Sequence, residues 1–522
     1  MENVLIAGAW RPADSTGSFR AINPDTGETL EHEYPVSSRA DLDLALAAGS
    51  KASRELRGVP REAIAAFLEG YADRIDERKQ SIAEAANQET ALPVAPRLAD
   101  VELPRTSNQL RQAAAAALDR NWTLPTIDTG SNIRSMYGPL EGPVVVFGPN
   151  NFPFAFNGIS GGDFAAAIGA GNSVIAKAHS SHPRTSQLLA EAAFEALEES
   201  GLPSATVQMI YRTSHSDGEY LVSHPLVGAT GYTGSRSAAL RLKAAADIAG
   251  KPIYLEMSSV NPLFLLPGAI RERAEALADE YSGSALLGAG QFCTSPGLVV
   301  VEAGGGTETF IEMLRERFES AGVGALLGVG GVKNLGDSVG TLLDSGAELV
   351  AGGSELQGQG CRYQNTLLRT TGEAFLAAAG ALQTEAFGNC DLIVVVANED
   401  EMVEVAGVVE GSLTGCIYSA AGGEDDERYV ELADRLRPRV GRLLNDKMPT
   451  GVAVVPSMNH GGPYPATGHP GFTAVGIPAA LRRFSMLECY DNVREDRLPE
   501  ELRDSNTIAD LWRSIDGQWT QS

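Results

Sequence analysis

Apolar residues recur every three or four positions from residue 39 to about 118, as in REAIAAFLEGYADRIDERKQSIAEAANQET. That spacing, in a stretch rich in Ala, Leu, Glu and Arg, predicts an α-helical lead-in. The segment NWTLPTIDTGSNIRSMYGPLEGP then breaks the pattern with proline, glycine and polar residues. From Val144 onward short apolar runs alternate with helical stretches: PVVVFG, a helix near DFAAAIGAG, NSVIAKA, a helix over 185–199, TVQMIYR, LVGATGYTG, the helix SRSAALRLKAAADIAG, and PIYLEM. Strand, helix, strand in this rhythm predicts a mostly parallel α/β sheet. A second set begins near Asn261 with LFLLP, a helix over 271–281, LVVVEA, a helix over 307–320, ELVAGG, LIVVVA, GCIYSA and GRLLND. It predicts a second α/β domain. The stretch GGPYPATGHPGFTAVG is too dense in Gly and Pro for regular structure, and the polar, acidic tail reads as helix-like.

Composition narrows the function classes. A chain of 522 residues suits two or three domains at roughly 100 to 200 residues each. Its 43% hydrophobic and 21% charged residues are ordinary for a globular protein, and no run approaches the roughly 20 apolar residues of a membrane-spanning helix. No membrane partner is expected. Glu2 stands where a secretory leader would carry a basic residue, so a cytoplasmic location is expected. A net charge of −26 runs against phosphate-backbone attraction and argues against nucleic acid. The five cysteines are odd in number, widely spaced and never C-x-x-C, so neither a disulfide framework nor a metal ribbon is indicated, and no metal is expected.

Several segments can carry chemistry. In GAGQFCTSPG, glycines and a Ser-Pro-Gly turn place Cys293 on an irregular loop, where a thiolate can attack a carbonyl; a buried core cysteine is the alternative. In YLEMSSVNP, Glu256 closes a strand 37 residues earlier, facing the crevice of a doubly wound sheet as a general base on water, or else serving as a surface or capping glutamate. In VVVFGPNNFPFAFN, Asn151 can donate its amide to an oxyanion, although turn asparagines are more often structural. Lys177 ends the strand of NSVIAKAHSSHP, and Ser235 in GYTGSRSAA opens a helix whose free N–H groups suit a phosphate. Glu385 and Phe387 in LQTEAFGNC precede an apolar strand. A competing G-x-S-x-G match, GISGG, offers Ser160 as a hydrolase nucleophile, but no strand leads into it. No G-x-G-x-x-G is present, which speaks against an ordinary Rossmann site.

Taken together and in order, these features resemble the aldehyde dehydrogenase superfamily over nearly the whole chain. The family's Pro-x-Asn-Phe-Pro matches Pro149 to Pro153, its strand-end lysine Lys177, and its Phe-Thr-Gly-Ser turn Tyr232 to Ser235. Its general base matches Glu256, its Gly-Gln-x-Cys Gly290 to Cys293, and its Glu-x-Phe-Gly Glu385 to Gly388. The family binds its dinucleotide without G-x-G-x-x-G. The resemblance implies that Cys293 attacks an aldehyde, that Asn151 and the Cys293 N–H hold the oxyanion, and that Glu256 activates the hydrolytic water. It implies NAD or NADP held by Phe147, Gly148, Pro149, Asn150, Lys177, Ser180, Thr233, Gly234, Ser235, Met257, Glu385 and Phe387.

Two departures stand out. Met257, Ser258 and Ser259 replace the family's Leu-Gly-Gly, and Ser180 stands where many NAD-preferring members carry a glutamate that would repel a 2′-phosphate. HGGPYPAT, with the other segments, resembles the branch acting on 2-oxoglutarate semialdehyde (2,5-dioxopentanoate) and its fatty-aldehyde relatives. A carboxylated substrate calls for an arginine, for which Arg105 and Arg111 are candidates; Phe152 and Phe156 would line the tunnel for a long-chain aldehyde. The implied architecture is two doubly wound α/β domains plus an oligomerisation arm: a dinucleotide domain over 1–120 and 141–257, a catalytic domain over 258–450, and an arm and tail over 121–140 and 451–522. A homodimer or homotetramer is implied.

Overall fold

The computed structural model describes residues 1–358 and 360–522. Its first sheet runs in the order Ile253–Glu256, Ala229–Thr233, Val144–Phe147, Val174–Lys177, Val207–Ile210, Val4–Ile6, Ala9–Arg11. The first five strands are parallel, and the two N-terminal strands add an antiparallel edge. Helical crossovers cover both faces, so VVVF and VQMI are buried along their whole length rather than on alternate residues. From Val144–Phe147 the chain steps outward to Val174–Lys177 and Val207–Ile210, then returns on the other side with Ala229–Thr233. The reversal places a crevice beyond Phe147 and Tyr232, which are register partners, at the carboxyl ends of the strands. The helical lead-in resolves into Arg39–Leu56, Arg61–Glu77, Lys79–Thr90 and Leu103–Asp119, whose apolar faces join the core of this sheet.

The second sheet runs Glu348–Ala351, Thr366–Thr371, Cys390–Val396, Leu298–Glu302, Pro262–Leu265, Ser412–Tyr418, Val440–Asn445, parallel except at its first strand. Successive residues feed two cores: Phe264, Val300 and Val394 pack on one face, Leu265, Val301 and Ile393 on the other. The helix expected over 271–281 lies within Pro267–Ala285, which starts at Pro267, suited to a first helical turn, and is kinked at Arg273 (φ −148°). The helix Thr307–Ser320 has the bounds its periodicity predicts.

The polar tail forms no α-helix beyond Ala479–Arg482 at its start, and its only other helical pieces among the described residues are the 3-10 turns Glu495–Arg497 and Glu500–Leu502. Ser485–Asp491, Arg513–Ile515 and Gln518–Thr520 form a five-stranded sheet with Ile133–Pro139 and Thr126–Asp128, in the order Ser485–Asp491, Ile133–Pro139, Thr126–Asp128, Arg513–Ile515, Gln518–Thr520. Strand pairing with residues some 350 positions away overrides the weak local helical preference. Residues 451–478 form no helix or strand, yet they are anchored: Met257 N donates to Ala466 O (2.8 Å) and Gly468 N to Leu255 O (3.0 Å). This stretch lies against the end of the Glu256 strand, apart from the five-stranded sheet. No helix among the described residues is long and apolar enough to cross a membrane.

Candidate active site

A cleft of about 1220 Å³ runs from the carboxyl ends of the first sheet to the Cys293 loop. Every strand end singled out in the sequence reaches it: Phe147, Gly148, Pro149, Asn150 and Asn151 after one strand, Lys177 and Ser180 after the next, Thr233, Gly234 and Ser235 after a third, Glu256 and Met257 after the fourth. Cys293, Glu385 and Phe387 line it from the second sheet. Gly148 is demanded by close approach, since a Cβ there would stand 2.6 Å from the Phe156 carbonyl oxygen. The helix Arg236–Ile248 begins at Ser235 without a side-chain cap, so its first N–H groups remain available to an anion.

The Cys293 loop is built from two sides. Gly290 has φ +69°, and a Cβ on it would lie 2.1 Å from the Gly388 carbonyl, so only glycine lets the Gly-Gln-x-Cys turn meet the Glu-x-Phe-Gly turn. Gln291 accepts from Leu327 N (2.9 Å), and Asn261 Nδ2 donates to the carbonyls of Cys293 and Ser295 (2.8 Å each). Asn151, 7% exposed, donates Nδ2 to the Gln291 carbonyl (2.9 Å), which leaves a second amide hydrogen for a ligand. Its loop is held from below by buried Glu102, whose Oε1 accepts from Phe154 N and Ala155 N and whose carboxylate pairs with Arg97.

Around the thiol, His460 completes a cluster. Its Nε2 lies 3.4 Å from Cys293 Sγ and 3.0 Å from Glu256 Oε1, with His460 and Glu256 each 1% exposed. Burial, then the neighbouring Glu256 charge, raises the Cys293 thiol well above its ordinary range. Burial also pushes Glu385 up to about 7, against hydrogen bonds from Ser259 N and the Ser258 side chain. The two serines that replace Gly-Gly therefore serve this carboxylate. At the far end of the cleft, burial brings Lys177 down to about 8, assisted by the Arg212 charge.

The two arginine candidates separate. Arg111 is not at the site: it lies on the solvent side of its helix, paired with Glu69, Asp73 and Asp76. Six residues at about 100° each turn it roughly 240° from Arg105. Arg105 instead faces an aromatic cluster, its Cζ 5.3 Å from the Phe156 ring centroid and 5.7 Å from that of Phe152, and burial lowers its pKa. Its Nη2 is buried with no hydrogen-bond partner among the described residues. Phe152 packs edge-on to Phe156 and Phe292, and Phe156 lies 5.5 Å from the His460 ring. Ser160 is fully buried and donates to the Phe154 carbonyl (2.8 Å), a structural role.

Sequence reasoning missed His460, Asn261 and Arg442, the last of which holds the Pro449 and Gly451 carbonyls beside Thr294. The signal for His460 was present in HGGPYPAT, a histidine opening a loop dense in Gly and Pro.

Residues 10–464 match the model of the aldehyde dehydrogenase family. The alpha-ketoglutaric semialdehyde dehydrogenase 2 of Azospirillum brasilense is 37% identical over 520 residues, 97% of each chain. The alpha-ketoglutaric semialdehyde dehydrogenase of Acinetobacter baylyi is 33% identical over 98% of each. Among solved structures, PnpE in complex with nicotinamide adenine dinucleotide superposes with a TM-score of 0.80 at 20% identity, covering 95% of this chain and 99% of that one. With the family model spanning most of its length and relatives this close across nearly all of it, the chain belongs to the aldehyde dehydrogenase family.

Proposed function

We propose that this enzyme oxidises 2-oxoglutarate semialdehyde to 2-oxoglutarate with NAD or NADP, through a thiohemiacetal and a thioester on Cys293. The observation that carries the reading is the contiguous cluster of Cys293, His460 and Glu256 at the end of a cleft lined by strand ends. The cleft suits a dinucleotide. The uncapped Arg236–Ile248 helix would take the pyrophosphate, Lys177 the adenosine ribose, and Glu385 with Phe387 the nicotinamide riboside. When bound, the nicotinamide supplies the hydride acceptor.

The raised thiol must lose its proton to attack, and His460 Nε2 at 3.4 Å is placed to take it, backed by Glu256. Sγ then bonds to the carbonyl carbon, and the oxyanion accepts from Asn151 Nδ2 and the Cys293 N–H. Loss of hydride leaves the thioester. Glu256 takes a proton from the water that attacks it, and the thiol is regenerated.

The substrate assignment rests on the two semialdehyde dehydrogenases at 37% and 33% identity and on Arg105, whose unpartnered Nη2 beside Phe152 and Phe156 suits a distal carboxylate. Ser180 in place of a glutamate, with Lys177 and Arg212 on the same cleft, supports acceptance of a 2′-phosphate. Exposed Met486 and Leu487 on the edge strand Ser485–Asp491 support a homo-oligomer joined through the five-stranded sheet. The test is initial-rate formation of NADH and NADPH with 2,5-dioxopentanoate, hexanal and a long-chain aldehyde. A preference for the carboxylated aldehyde above about tenfold, roughly 1.4 kcal/mol, is expected. Preference for the long-chain substrate would overturn the assignment.

A further inference from the structure

The groups around the catalytic thiol converge in a way that hydrogen bonding leaves incomplete. Nδ1 of His460 is buried without a hydrogen-bond partner among the described residues, and the buried Glu256 carboxylate is met only by the Cys293 thiol and by His460 Nε2, 3.0 Å from its Oε1. A carboxylate that is 1% exposed and faces only a thiol and an imidazole is costly unless something compensates its charge. Cys293 Sγ, His460 Nε2 and a Glu256 oxygen all lie within 4.8 Å of one another, which places a thiol, an imidazole and a carboxylate around one point.

We propose that Cys293, His460 and Glu256 form a binding site for a zinc-class divalent cation, and that its occupation reversibly silences the enzyme. One sulfur, one nitrogen and one oxygen ligand suit Zn²⁺, whereas Mg²⁺ and Ca²⁺ require several oxygens. Zinc bonds of about 2.0 to 2.3 Å in a tetrahedron set ligand atoms roughly 3.3 to 3.6 Å apart. The Sγ to Nε2 separation of 3.4 Å already meets this, and Nε2 to Oε1 at 3.0 Å needs only a small opening. Cys293 is partly exposed toward the cleft, so the fourth position stays open to water. Binding forms an S–Zn bond as the thiol proton leaves to solvent, with no change of oxidation state. The sulfur lone pair that would attack an aldehyde is then engaged, and the thiolate and carboxylate together neutralise the cation. The ligands lie 37 and 167 positions from one another along the chain, so no sequence spacing reveals them.

The test uses the full chain, freed of metal, with Co²⁺ as the probe and no aldehyde present, so its outcome is independent of the substrate assignment. One equivalent of Co²⁺ is expected to give a sulfur-to-cobalt charge-transfer band and the intense visible bands of four-coordination, displaced by Zn²⁺ and untouched by Mg²⁺. The charge-transfer band should vanish in Cys293→Ala. Affinity should drop by more than about tenfold in His460→Gln and Glu256→Gln, each checked for folding by its metal-free melting temperature. On the wild type alone, Zn²⁺ should slow alkylation of Cys293 read by peptide mass and leave the alkylation rate of Cys489, whatever its value in the assembly, unchanged. A charge-transfer band that survives Cys293→Ala, or alkylation of Cys293 unaffected by Zn²⁺, would overturn the site.

Discussion

The two seven-stranded sheets look alike in strand number and in their parallel cores, yet they meet the cleft with opposite ends. The first presents carboxyl ends: Phe147, Lys177, Thr233 and Glu256 each close a strand and line the cleft. The second presents the loops that enter its strands: Cys293 precedes Leu298–Glu302 and Glu385 precedes Cys390–Val396. Carboxyl ends beside a switch point offer backbone groups and helix N-termini, suited to phosphates and ribose. The entering loops of the second sheet carry tight turns such as Gly290 against Gly388, which fix the Cys293 loop at the cleft. On the proposed reading the first sheet does most of the binding and the second supplies the nucleophile, while Glu256 and Asn151 from the first sheet and Glu385 and Phe387 from the second cross that divide.

That division can be broken experimentally. The largest effect is expected from Cys293→Ala, which should remove aldehyde oxidation by at least about 10⁴-fold while NAD(P)H fluorescence quenching still reports binding; a parallel loss of binding would show the regions to be inseparable. Next, Arg105→Met should raise KM for 2,5-dioxopentanoate ten- to hundredfold, about 1.5 to 3 kcal/mol for a charge-assisted contact, and leave hexanal unchanged. An equal change for both aldehydes would mean that Arg105 supports the aromatic cluster instead. A smaller shift, about tenfold in KM for NADP with little change for NAD, is expected from Ser180→Glu, confined to the binding region.

The smallest effect concerns the second sheet away from the cleft. Asp391 is buried against the Tyr281 hydroxyl (2.8 Å), and burial raises its carboxyl from 3.8 to about 7. The folded chain therefore retains a proton that the unfolded chain releases near 3.8, so this group's contribution favours folding at low pH and is lost as pH rises from about 4 through 7. Melting temperatures at pH 5 and pH 8 should differ less in Asp391→Asn than in the wild type. A slope that is unchanged would assign the effect to buried Glu89 and Glu385, which burial also raises to about 7.

Legibility in the sequence followed range. Runs such as VVVF and LVVVE read as strands because their burial on both faces demands uninterrupted apolar residues, and Thr307–Ser320 read as a helix because its apolar face repeats locally. The residues expected at strand ends reach the cleft for the same reason: a strand's end is where its side chains leave the sheet. The tail failed that logic. Ser485–Asp491 carries no strong period of its own and becomes a strand through seven register pairs with Ile133–Pro139.

Along the chain, apolar periodicity and turn residues decided which segments are helix, strand or sharp turn, and hence that Cys293, Glu256 and Asn151 stand where regular elements end; that they share one space was implied only by the family resemblance. Folding in three dimensions decided the rest. The helical twist turned Arg105 inward and Arg111 to solvent, and a loop 167 positions after Cys293 delivered His460 to its sulfur. Periodicity acts over a few residues, whereas the burial and convergence of charged groups depend on packing between segments that no local pattern specifies.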